Sequence, residues 1–174
     1  MNRKNFILNN SLGLMGALYI PEFLNKHEII LGHNNKRYKI NTRWSRADVS
    51  RYPVNDCHEM VQDSKGRILL LTNETSNNVL IYDKNGKLLD TWGSEYPGAH
   101  GFTLFNENGE DVLYICDNNR HQVIKTNIEG RVLMTLDWPK ETGEYSKPEE
   151  YVPTETAIAP NGDIYVADGY GKDF

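Results

Sequence analysis

The sequence predicts an all-β fold, a β-propeller of four-stranded blades of which this chain carries about two full blades and part of a third. Three observations predict it. A four-strand grammar recurs along the chain. Glycine turns return at a near-constant interval, with 43 residues from Gly66 to Gly109 and 44 from Gly86 to Gly130. The segments between turns are short runs of β-branched and aliphatic residues, too brief for helices. A period of ~40–45 residues with four strands per copy is the signature of a propeller blade.

The first copy runs from Met60 to Gly93 and the second from Phe102 to Leu136. A third begins at Thr156 and extends to the end of the sequence. In each, a short apolar strand precedes a polar turn: DSKG at 63–66, NENG at 106–109, PNG at 160–162. A hydrophobic strand follows, at Ile68–Leu71, Val112–Cys116 and Ile164–Ala167, closing on Asn73, Asp117 or Asp168. A third strand, Val79–Tyr82 or Gln122–Lys125, leads through KNG at 84–86 or IEG at 128–130 into a fourth, Lys87–Trp92 or Arg131–Leu136. Asn-Gly and related turns suit such hairpins because they tolerate positive φ. A solenoid of stacked hairpins is the rival arrangement; four strands per repeat favour blades.

The third copy is delayed, with 53 residues from Gly109 to Gly162. The added residues lie in DWPKETGEYSKPEEYV, 137–152. This segment reads either as a solvated acidic linker or as a wall beside a binding cleft, since inserted loops often carry binding.

Composition narrows the function. The 174 residues carry a formal charge of -5 and are 39% hydrophobic. The basic stripe of a nucleic-acid binder is missing, so no nucleic-acid partner is expected. The two cysteines, Cys57 and Cys116, make no disulfide framework. Residues 1–24 read as an export signal or an N-terminal segment: Arg3 and Lys4 precede a short apolar run, Ser11–Ile20, before Pro21. The run is too short for a membrane span. The expectations are an exported location, periplasmic or extracellular, a connecting segment at 25–55, and blades at 56–174. Further blades beyond the last residue would be needed to close the ring.

The candidate chemistry sits where innermost strands begin. His58 lies three residues before Val61, His100 three before Thr103, and Glu155 three before Ile158. In a propeller these positions converge at the channel mouth. Imidazoles and a carboxylate there suit a divalent metal. His58 reads equally as a hydrogen-bonded strand-start residue, Glu155 as a channel-lining acid, and His121 as structural. Tyr170, in DGYG at 168–171, reads as a ligand-stacking or basic residue, or as a packed turn tyrosine. The main functional expectation is a small molecule or peptide bound over the central channel.

GDIYVADGYG (162–171) and RHQVIK (120–125) resemble the NHL repeat of six-bladed propellers. PGAHGFTL (97–104) and PTETAIAPNGDIYVADGYG (153–171) more narrowly resemble the peptidyl-α-hydroxyglycine α-amidating lyases. That resemblance implies an alternative function: metal-dependent cleavage of a carbinolamide C–N bond, releasing an amidated peptide and glyoxylate. It implies zinc with His100 as one ligand, a structural calcium, and Tyr170 as catalytic base. Asn73 stands where the family pattern has an arginine, which Arg120 or Arg43 would have to replace in space.

Overall fold

A computed structural model of the chain describes residues 30–172. The candidate export segment at 1–24 and the beginning of the connecting segment lie outside the described residues. The chain divides into two units between Asn41 and Thr42. The first contains a small antiparallel hairpin, β1 (Ile30–Leu31) with β2 (Tyr38–Lys39).

The second unit holds three antiparallel sheets. The first is a meander of β3 (Cys57–Gln62), β4 (Ile68–Thr72), β5 (Val79–Tyr82) and β6 (Leu88–Trp92). The second is a meander of β7 (Ala99–Glu107), β8 (Glu110–Asp117), β9 (Gln122–Asn127) and β10 (Val132–Leu136). β11 (Glu155–Ile158) and β12 (Ile164–Ala167) form a two-stranded sheet.

Three hairpins share one turn chemistry. The side-chain oxygen of Asp63, Asp83 or Asn127 accepts the backbone N–H of the residue four later: Arg67, Lys87 or Arg131, at 2.7, 3.0 and 2.7 Å. The glycine between them takes positive φ, 76° at Gly66, 82° at Gly86 and 86° at Gly130, a region that penalises a Cβ. This is why D-x-x-G-(K/R) and N-x-x-G-R recur in the sequence.

Strand alternation sets the layering. Leu69, Leu71, Val79 and Ile81 of the first sheet pack on Phe102, Leu113, Ile115 and Ile124 of the second. The opposite face of the second sheet, with Val112, Tyr114, Cys116 and Val123, meets Ile158, Ile164 and Val166 of the third. β8 is therefore covered on both faces and reads as a continuous apolar run rather than an alternation. Both faces of β5 are buried as well, and Trp44 packs on Tyr82 with ring centroids 5.3 Å apart.

The expected β-propeller is corrected here. The described residues make four separate antiparallel sheets, and none closes or curls into a ring. The two complete repeats are four-stranded meanders, and among the described residues no closed ring of strands lines a channel. Hairpin turns and strand alternation are local rules that an open stack of layers obeys as well as a ring does. Among the described residues no helix is long and apolar enough to cross a membrane.

Candidate functional site

In the second unit, the first strand of each sheet is where the layers meet. β3, β7 and β11 belong to different sheets and share no ladder, yet side chains stitch them together. The Phe102 N–H on β7 donates to Glu59 Oε2 on β3 at 2.9 Å. Thr103 Oγ1 lies 2.7 Å from Glu155 Oε1 and 2.8 Å from Thr156 O, both on β11. Thr156 Oγ1 donates back to Thr103 Oγ1 at 2.7 Å, and the Thr156 N–H reaches Glu155 Oε1 at 2.8 Å.

Two carboxyls of this seam interact and shift in opposite directions. Burial raises Glu59, and its hydrogen bond to Glu155 raises it further, to about 7. Burial would raise Glu155 too, but bonds from Glu59, Thr103 and the Thr156 N–H, with the nearby His100, bring it below its ordinary value. The opposite directions favour the proton on Glu59 and the charge on Glu155. Sequence reading missed Glu59; it was legible only as the residue after His58.

The register set by the seam brings three candidate residues together at one end of the strands. The rings of His58 and His100 stack with centroids 4.1 Å apart and an interplanar angle of 29°. Tyr170 meets His100 edge-on, at 5.3 Å and 86°. His100 Nδ1 lies 3.0 Å from the Thr154 carbonyl oxygen, so Nδ1 carries the proton and Nε2 is left as an acceptor. Burial first, and His100 second, lower the pKa of His58, which favours a neutral ring beside its neighbour.

The turn that carries Tyr170 is built by the inserted segment. Asp168 is buried; its Oδ1 accepts the Val152 N–H at 2.7 Å, and its Oδ2 accepts the Tyr145 hydroxyl at 3.0 Å and the Lys172 N–H at 2.9 Å. Lys172 Nζ pairs with Glu150 at 2.8 Å. A Cβ on Gly171 would collide with the Asp168 carboxylate and the Glu150 carbonyl. Residues 144–154 thus act as the mount for Tyr170 rather than as a solvated linker.

A shared metal does not fit this geometry. A metal ion lies in the plane of each imidazole that binds it, and two stacked rings direct their in-plane lone pairs side by side. Glu155 is occupied by Thr103, Thr156 and Glu59. Among the described residues no group of three or more His, Cys, Asp or Glu is placed to hold a metal ion. The expectation of a metal-binding propeller, with His58, His100 and Glu155 around one ion, is corrected on that finding. His100, with Nε2 open, is suited to one ligand position by itself.

Arg120 is engaged at its own sheet rather than with the cluster. Arg120 donates to Glu95 O at 3.0 Å and to Gln122 at 3.0 Å, and lies over Tyr96. Asn73 bonds to Asn55 and Asp56 at 2.8 and 3.0 Å.

Fold and site together define an all-β protein with a cluster of two strand-start histidines, on β3 and β7, and a tyrosine from the turn after β12. No protein-family model matches the chain. It is 32% identical over 97 residues to a probable peptidyl-alpha-hydroxyglycine alpha-amidating lyase, pgal-1, of Caenorhabditis elegans. That match takes in 55% of this chain and 27% of the relative, so the chain spans about a quarter of the relative's length. Among solved structures, virginiamycin B lyase from Staphylococcus aureus superposes with a TM-score of 0.48 at 14% identity, over 64% of this chain and 34% of that one. A protein of unknown function from Bacteroides caccae gives a TM-score of 0.37 at 14% identity, over 76% and 56%. Since the sheets close no ring, the resemblance to six-bladed NHL propellers is corrected to a partial sequence similarity to a probable lyase. With no channel formed, ligand binding over a central channel falls as the main functional reading, and the lyase-like alternative has the better support.

Proposed function

We propose that this chain carries lyase chemistry on an α-hydroxylated amide, breaking the bond between the hydroxyl-bearing carbon and the amide nitrogen. The observation that carries the proposal is the His58–His100–Tyr170 cluster, assembled from three separate elements. The partial similarity to the nematode protein supports it.

The reaction needs one proton removed from the hydroxyl and one delivered to the nitrogen. His100 Nε2 takes the phenolic proton of Tyr170. The phenolate takes the substrate hydroxyl proton as the carbon–oxygen bond becomes a carbonyl. The carbon–nitrogen electron pair leaves on nitrogen, and the imidazolium of His100 returns the proton there. The products are a carbonyl compound and a primary amide, and the side chains end as they began. His58, held toward the neutral form, keeps a second positive charge away from His100.

The test is incubation of the protein with a peptidyl-α-hydroxyglycine, following amide and glyoxylate by mass spectrometry. Turnover is expected, with a loss of at least ~100-fold in both His100→Ala and Tyr170→Phe. No turnover, or turnover untouched in both variants, overturns the proposal.

A further inference from the structure

Among the described residues, the clefts beside the second sheet include two large ones. One, of about 490 Å³, sits among the hairpin turns at the end of the strands away from His100. Its charges are matched in part, Asp63 with Arg67 at 2.6 Å and Glu107 with Lys125 at 2.8 Å, so it singles out no ligand. The other, of about 560 Å³, lies at the same end as the histidine–tyrosine cluster. Its volume is in the range of small-ligand sites. It is lined by Arg120 and His121 before β9, by Trp138, Pro139 and Lys140 after β10, and by Pro148.

His121 is held there at a cost. Its φ is 58°, in the left-handed region that a residue with a Cβ rarely adopts. Such conformations persist only where the surroundings over-determine them. The constraint is visible: His121 Nδ1 lies 2.7 Å from the Tyr151 carbonyl oxygen. That bond places the proton on Nδ1 and leaves Nε2 as an acceptor, the same arrangement as at His100. Trp138, Pro139 and Pro148 supply an apolar wall of rigid side chains, which lose little freedom on binding.

One short segment ties the cleft to the cluster. Tyr151 O accepts from His121, and Thr154 O accepts from His100. Three residues of extended chain span at most ~10 Å. A bound peptide in extended form covers a span of that upper limit in about three residues.

We propose that this cleft is a subsite for the peptide part of the substrate. It takes an aromatic or large apolar side chain two to three residues before the reacting centre, against Trp138, with His121 Nε2 accepting a peptide N–H. The proposal rests on the lyase reading for its location, because it counts residues from the reacting carbon.

The test uses calorimetry on the protein with unreactive peptides that end in glycine, matched for length. In one series a phenylalanine is moved from one to four residues before that glycine; an all-alanine peptide is the control. Affinity is expected to peak with phenylalanine two or three residues before the glycine. Trp138→Ala is expected to weaken that peptide by roughly tenfold, and the control by less. His121→Asn keeps a residue that tolerates positive φ and a donor for Tyr151 O while removing Nε2. It is expected to weaken both peptides severalfold, and it serves as the second variant should Trp138→Ala fail to fold. Affinity independent of the phenylalanine position overturns the proposal, as does an equal response of both peptides to Trp138→Ala. Turnover of the α-hydroxyglycine forms is measured in parallel. Absent turnover with a position-dependent affinity removes the lyase reading and leaves the cleft. Turnover without position dependence removes the cleft and leaves the lyase reading.

Discussion

Replacing Glu59 by glutamine tests the placement of the proton at the seam between sheets. In the folded chain Glu59 is raised from 4.5 to about 7, by burial and by its bond to Glu155. The folded state therefore holds a proton between these values that the unfolded chain has released. The stability this contributes is complete below about 4.5 and is lost as pH rises through about 7. Taken whole, the shift corresponds to about 3 kcal/mol. Glu59 is only partly buried, and screening by solvent reduces this to ~1 kcal/mol. Glu155 moves the other way, so its effect falls below 4.5 and outside the window. Glutamine mimics the protonated acid: its amide N–H₂ donates to Glu155 and its carbonyl accepts the Phe102 N–H. Thermal melting of wild type and Glu59→Gln from pH 4.5 to 8.5 is the assay. The melting temperatures are expected to agree within ~1 °C at the acid end. At pH 8 the variant is expected to melt about 3 °C higher. Every other titrating group is common to both proteins. Parallel profiles across the whole range would refute the assignment of the proton to Glu59.

Gly171→Ala places a Cβ against the buried Asp168 carboxylate and the Glu150 carbonyl; it is expected to cost ~1–3 kcal/mol and to displace the Tyr170 turn, read by denaturant unfolding and by a drop in kcat. The two thiols are expected to differ in reactivity, since Cys57 is exposed while burial raises the pKa of the enclosed Cys116; one equivalent of thiol should react with a maleimide in the native protein, at Cys57 by peptide mapping, and two after unfolding.

Much of the strand pattern was legible because its causes are local. The turns at Gly66, Gly86 and Gly130 follow from an Asp or Asn that accepts an N–H four residues on, beside a glycine at positive φ. The positions of His58, His100 and Glu155 at the starts of first strands could be counted from those turns. The same counting could not show that His58 and His100 stack, which turns their lone pairs away from a common metal. Nor could it show Glu59, whose partners Phe102 and Glu155 lie far along the chain. The acidic segment at 137–152 reads from composition either as a solvated linker or as a cleft wall, and neither reading shows that Tyr145 and Glu150 anchor the turn that presents Tyr170.

By itself the sequence determined which residues pair as hairpins and which face of each strand is apolar, since period-two alternation and turn chemistry act within a few residues. Only the tertiary structure decided that the three sheets of the second unit stack as layers without closing on one another, because closure is a relation between distant sheets that no local rule contains. It alone also brought His58, His100 and Tyr170 together, through hydrogen bonds between strands that share no ladder.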